Sequence, residues 1–228
     1  MNVKRATGVA VAVAAGTILV VAAVAIGGGK PISTSSESGM TAEERDALHE
    51  AQFAAWQQKY EAWIADLDVS TLNLAKLPRK EQMVELKAPP ATFAQSVTAA
   101  DSVVRGKVTG IRPTTEGTWV TMRVEKVLKA KGKPGTVTFL QGSTFEPNTD
   151  WTGAVILDSP GGPLLLPGDR ALVFLTTHPD GTLSLREPAG MYLIDAKGTA
   201  HAAGYNPYAV DEMDVSTLDQ LTVAAAGS

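Results

Sequence analysis

Few residues in this chain could carry out a reaction, and their spacing argues against the well-known ones. Its three histidines, His49, His178 and His201, are far apart in sequence, and no two have a helical metal-ligand spacing. The absence of cysteine removes disulfides, thiolate metal sites, cysteine nucleophiles and a lipid-modified N-terminal cysteine together. Asp150 and Asp158 could meet a calcium ion, yet they lack the ligand spacing of a calcium loop. The adjacent carboxylates Glu43 and Glu44, and Asp211 and Glu212, lie in surface-like stretches with no sign of a cleft. A Gly-x-Ser-x-Gly elbow, a His-Glu-x-x-His helix, a P-loop and a Ser-x-x-Lys pair are all missing. The residue types therefore point away from an enzyme, and no cofactor and no metal is expected.

Charge narrows the partners. The formal net charge is −4. Lys4, Arg5 and Lys30 stand in the first thirty residues with no acid, so the remainder carries 17 bases against 24 acids. An acidic body disfavours general affinity for nucleic acid or anionic lipid. Lys126, Lys129, Lys131 and Lys133 do cluster, but no aromatics interleave with them for bases to stack on. They read as a solvated hairpin end that discourages edge-to-edge pairing, and no nucleic-acid partner is expected.

The elements that must position any site are mainly strands. Val120, Met122 and Val124 alternate with Thr121, Arg123 and Glu125, a period of two that predicts a strand over 118–128. Strands are also predicted over 102–112 and 136–140. In the first of these Val104, Gly106, Val108 and Gly110 share a face, and two glycines on one face suggest a sheet that curls. Residues 170–177 form the clearest core strand. Leu172 and Phe174 face one side and Val173 and Leu175 the other, so both faces should be covered. Strands over 183–186 and 191–194 follow, and Ser216 is expected to cap a last helix running to Ala226.

Ahead of the strands lie three further segments. Residues 6–26 are an uninterrupted uncharged run of 21 residues behind Lys4 and Arg5. At about 1.5 Å per residue this spans a hydrocarbon core of roughly 30 Å. The flanking bases predict a cytoplasmic N-terminus and a single-pass cell-membrane anchor, with the rest extracytoplasmic. The alternative is a cleaved signal peptide with Ala23-Val24-Ala25 at its end, which leaves an exported protein. Residues 28–40 read as a flexible linker. Thr41 and Glu44 form a capping-box pattern before an amphipathic helix over 42–67. Phe53, Trp56, Tyr60 and Trp63 share a stripe on that helix, either docked on the strand domain or offered to a partner. An extended connector completes the segment to residue 91, and the strand domain covers 92–228. The Asp-Val-Ser-Thr-Leu segment occurs twice, from Asp68 and from Asp214, and in both places reads as a Ser- or Thr-capped turn.

Residues 142–168 are the most irregular part, rich in Gly and Pro and longer than usual for a loop. If the domain binds a ligand or a protein, this loop with Trp151 and the neighbouring Tyr205 and Tyr208 are the candidate contacts.

Two stretches carry a resemblance. They are Ala100-Asp101-Ser102-Val103-Val104-Arg105-Gly106-Lys107-Val108, and Leu166-Pro167-Gly168-Asp169-Arg170 leading into the core strand. With the hairpin between them, residues 93–194 resemble the small barrel of netrin-like and tissue-inhibitor-of-metalloproteinase domains and similar exported bacterial proteins. The resemblance implies a five-stranded OB-like barrel that binds on its curved face. The inhibitors' metal-chelating N-terminal cysteine has no counterpart, so their mechanism does not transfer. The expected function is a membrane-tethered binding or interaction module with a protein partner in the cell envelope. A structural subunit contacting partners through the aromatic helix is the alternative, and an envelope enzyme the least supported.

Overall fold

The computed structural model describes residues 41–82, 92–159, 161–186, 190–203 and 212–227. In chain order these form helix α1 (Ala42–Asp66), strand β1 (Arg79–Glu81) and helix α2 (Phe93–Ala99). Next come β2 (Ser102–Thr114), β3 (Gly117–Lys129), β4 (Thr136–Gln141), β5 (Thr144–Pro147) and β6 (Ala154–Asp158). The chain continues through β7 (Arg170–Thr177), β8 (Leu183–Leu185), β9 (Met191–Ile194), β10 (Thr199–Ala202), β11 (Glu212–Asp214) and helix α3 (Val215–Ala226). The expected anchor and linker lie outside the described residues. Among the described residues no helix is long and apolar enough to cross a membrane.

The fold is mainly β, as expected. Its larger sheet runs β11-β10-β9-β7-β2-β3-β4-β8, and β8 also pairs with β7. Strands β7, β2, β3, β4 and β8 thus close into a five-stranded barrel. The seam between β4 and β8 is a parallel pairing at Leu140 and Ser184.

Closure depends on bending β2, which pairs with β3 along its length and with β7 over its first half. Register shifts fall at Val103/Val104, Arg105/Gly106 and Val108/Gly110, each sharpening the local twist. At Gly106 the two strands approach so closely that an added Cβ would lie 2.2 Å from the Arg123 carbonyl oxygen. The last shift also reverses the alternation, so that Ile111 rather than Gly110 joins Val104 and Val108 in the barrel core. A Cβ on Gly110 would meet nothing within 4 Å, so only one of the two glycines is demanded by packing.

Strand β7 divides two cores, as its alternation foretold. Val173 and Leu175 join Val104, Val120, Met122 and Phe139 inside the barrel. Leu172 and Phe174 point outward into a cluster closed by Val97 of α2 and Leu218 of α3. A third cluster joins Tyr60 and Ile64 of α1 to Phe145, Ile156 and Leu164.

Three expectations are corrected. The stretch 142–168 is not one irregular loop: β5 and β6 pair within it and take up β1 in parallel, forming a second sheet in the order β1-β6-β5. A buried polar network holds the remainder. Gln141 Nε2 donates to the Pro163 carbonyl at 2.8 Å, and Ser143 Oγ bonds Ser159 Oγ at 3.3 Å and the Gly162 carbonyl at 3.1 Å. The connector is also more than extended chain. It makes two 3₁₀ turns, Val69–Thr71 and Leu74–Lys76, before β1. Finally, serine is not the cap of the twin Asp-Val-Ser-Thr-Leu segments. Asp68 and Asp214 are, each accepting from the amide two residues on. The Ser70 and Ser216 hydroxyls, then those amides, hold the two carboxyls below the usual aspartate range.

Two substitutions test this architecture. Phe174→Ala should cost on the order of 3–5 kcal/mol in chemical denaturation, because the ring is buried between β7, α2 and Tyr192. Gly106→Ala should cost about 2 kcal/mol or more through the forced separation of β2 from β3, while Gly110→Ala should stay within about 0.5 kcal/mol.

Candidate functional site

The outward side of the barrel has a covered zone and an open one. Helices α2 and α3 cover Val103, Leu128, Leu172 and Phe174. At the border the buried Asp219 of α3 accepts from Lys126 Nζ at 2.8 Å and lies 3.4 Å from an Arg105 nitrogen. Lys129 Nζ donates to the carbonyls of Val97, Thr98 and Ala100 at 2.6–2.9 Å. It thereby holds the C-terminal end of α2, where unpaired carbonyls gather negative partial charge. Two of the four clustered lysines are therefore structural. Lys131 and Lys133 stay exposed and rim a recess of about 510 Å³ whose walls include Thr136 and Thr138.

Beyond Asp219, α1 packs on β2 near Ile111, but Lys107, Arg123, Thr136 and Thr138 stay exposed among the described residues, and the outward residues of β2, β3 and β4 line up in rows. Lys107 pairs in register with Arg123 on one side and with Arg170 on the other, and Arg123 with Thr136. The next row sets Gly110, Thr121 and Thr138 abreast, and the one after it Arg112, Trp119 and Leu140. Arg170 is neutralised by Glu125, bonding it at 2.7 Å. That bond, with smaller help from Arg105 and Arg123, holds the Glu125 carboxyl below its usual range. Lys107 and Arg123 are exposed and enter no ion pair among the described residues, while Arg112 lies 6.0 Å from the Trp119 ring. Like charges directly opposite on neighbouring strands repel, and the nearby Glu125, bonded to Arg170, offsets this only in part.

The residues singled out from sequence occupy other places. Trp151 adopts φ 64°, a conformation few bulky residues take. Its turn is fixed by Asn148, whose side chain accepts from Gly153 N at 2.9 Å, and by Asp150, which accepts from Thr152 N at 3.2 Å. The ring meets Trp63 edge-on at 6.4 Å and carries Lys59 Nζ 4.0 Å from its centroid. It therefore clamps α1. Tyr205 and Tyr208 lie outside the described residues.

On α1, Phe53, Trp56, Tyr60 and Trp63 stack in succession at 6.3, 5.1 and 6.1 Å. Tyr60 is buried and donates its hydroxyl to the Phe145 carbonyl at 2.9 Å, and that burial pushes its phenol pKa up. Trp56 and Trp63 are half-buried against the same cluster, and Phe53 is left 54% exposed. The stripe thus docks its own chain, except at Phe53.

The polar candidates are also accounted for. Asp158 receives a bidentate pair of bonds from Arg79 at 2.7 Å and the Leu164 amide at 2.8 Å. His178 Nε2 lies 2.8 Å from Ser184 Oγ across the β7–β8 hairpin, while Asp180 accepts from Thr182 N instead of orienting the imidazole. His201 lies 3.4 Å from Asp195 and 3.7 Å from Glu212. Among the described residues no group of three or more histidine and acidic side chains is placed to hold a metal.

The open face of β2, β3 and β4 is therefore the arrangement that sequence reasoning missed. Its signal was the outward parity of Lys107 and Arg123, which becomes a site only once the strand register is known. No protein-family model matches the chain, and no curated protein shows significant similarity to it.

Relief of repulsion provides the check. Arg123→Thr and Lys107→Thr should each raise stability at low salt by a few tenths of a kcal/mol, and the double variant should gain less than the sum. Melting curves in high salt should erase the gain, because exposed charges are screened.

Proposed function

We propose that this protein is a membrane-tethered extracytoplasmic binding module, anchored through residues 6–26, with an OB-like barrel as its ligand-facing part. The observation that carries the reading is the open β2–β3–β4 face. It sets uncommitted cations in register on a closed barrel whose neighbouring outer surface is covered by helices. A closed barrel holds such groups at fixed spacing, which lowers the ordering cost of binding. Fixed charges and hydroxyls suit recognition. The five-stranded closure also supports the likeness to netrin-like domains, with the binding surface on strands in place of a cysteine.

The alternative, a structural subunit joined through α1, rests on less. Tyr60, Trp63 and Trp56 pack into the cluster formed with β5 and β6, and Phe53 alone stays open.

Two measurements test the proposal. The intact mass of membrane-extracted protein should include residues 6–26; a mature N-terminus near Gly27 would leave the module exported but untethered. A photo-crosslinking residue at Thr138 should give adducts in intact cells that one at Gln220, on the exposed side of α3, does not. Equal or absent adducts would remove the binding face.

A further inference from the structure

Resting on that reading, we propose that the β2–β3–β4 face binds an extended polyanionic glycan, a sugar polymer bearing regularly placed acidic groups. The charges form a track. It starts at Arg112 beside Trp119, passes the Lys107–Arg123 pair, crosses Thr136 and reaches the recess rimmed by Lys131 and Lys133. Arg112 lies five residues from Lys107 along β2, roughly 15 Å at strand rise. Acids beside the track include Glu125, taken up by Arg170, Asp169, whose carboxylate takes the Leu166 amide, and Glu116 in the exposed β2–β3 turn. On a chain of net charge −4, this concentration of free cations on one sheet face is local and complementary to a polyanion.

Its shape and chemistry narrow the polymer. The face is an open sheet surface and not an enclosing cavity, so it suits a ligand that lies along it. Hydroxyls flank the cations. Thr136 and Thr138 are exposed, Thr121 bonds Thr138 at 3.3 Å, and Thr109 donates to the Thr121 carbonyl at 3.2 Å. Such groups can exchange hydrogen bonds with the alcohols of a sugar chain. Nucleic acid is disfavoured, because single-strand binders stack successive bases on several aromatics. Among the described residues of these three strands, Trp119 is the one outward aromatic, half-buried and beside Arg112.

The test uses the full chain in neutral detergent and three anionic polymers at equal salt: polygalacturonate, poly-L-glutamate and oligodeoxythymidylate. The protein should bind polygalacturonate most tightly, with affinity falling linearly in log–log terms as salt rises. Lys107→Glu with Arg123→Glu should weaken that binding by about tenfold or more, while Lys76→Glu with Lys197→Glu, an equal change of charge elsewhere, should alter it by less than about twofold. If the double glutamate variant fails to fold, the Lys107→Thr and Arg123→Thr pair should show the same loss in smaller measure. Failure to bind polygalacturonate, equal weakening by both double variants, or tighter binding of poly-L-glutamate or oligodeoxythymidylate would overturn the proposal. Adducts at position 138 in cells without glycan binding would overturn the ligand class and leave the binding module standing. Loss of both would remove both.

Discussion

The bend of β2 is the constraint on which the other parts depend. A strand of 13 residues that pairs with β3 throughout and with β7 at its start cannot stay straight and still bring β8 round to β4. Three register shifts supply the curvature, and Gly106 allows β2 and β3 to approach closely by having no side chain. The same bend fixes what the barrel shows to solvent. The carbonyl that a Cβ at position 106 would strike belongs to Arg123, so this close contact lies directly behind the cationic pair. The exposed Lys107 and Arg123 are thus mounted beside a close backbone contact.

Coverings on the other surfaces follow from charges placed at their edges. Asp219 brings a buried carboxylate on α3 to Lys126 and Arg105. A buried carboxylate met by a half-exposed lysine contributes little net stability, but the helix cannot rotate or slide without stranding that carboxylate. Arg79 and Asp158 act alike on the second sheet, where their bidentate bond fixes the parallel register of β1 on β6. Lys129 performs the corresponding task for α2 through three carbonyls.

What could be read from the sequence was whatever alternates. β3, β7 and β9 show a period of two or a continuous apolar run bounded by turn residues, and their ends fall within a residue or two of expectation. β5 and β6 carry no such signal. One ends in Pro147 and the other is a short run ending at Asp158, so their glycine- and proline-rich setting obscures them. β1 is Arg79-Lys80-Glu81, with no apolar residue at all, and only its pairing with β6 makes it a strand. The candidate site follows the same logic in reverse. Lys126 and Lys129 are close in sequence to Lys131 and Lys133, yet both are committed to helices. Lys107 and Arg123 belong to different strands and become neighbours through register, which sequence spacing does not reveal.

The partial docking of α1 has a mechanical consequence. Its contacts lie toward its C-terminal end, at Tyr60, Trp63 and Ile64, whereas the turns before Phe53 touch little else. From Ala42 to Phe53 the free arm is roughly 17 Å long at the rise of an α-helix. A pull on its far end acts with leverage, peeling the aromatic stripe from β5 and β6 one ring at a time. The load would fall on the Tyr60–Phe145 bond and on the packing of α1 against Ile111 of β2. The chain thus turns α1 into a lever whose short docked end, resting on both β5 and β2, feels any pull on the long free one.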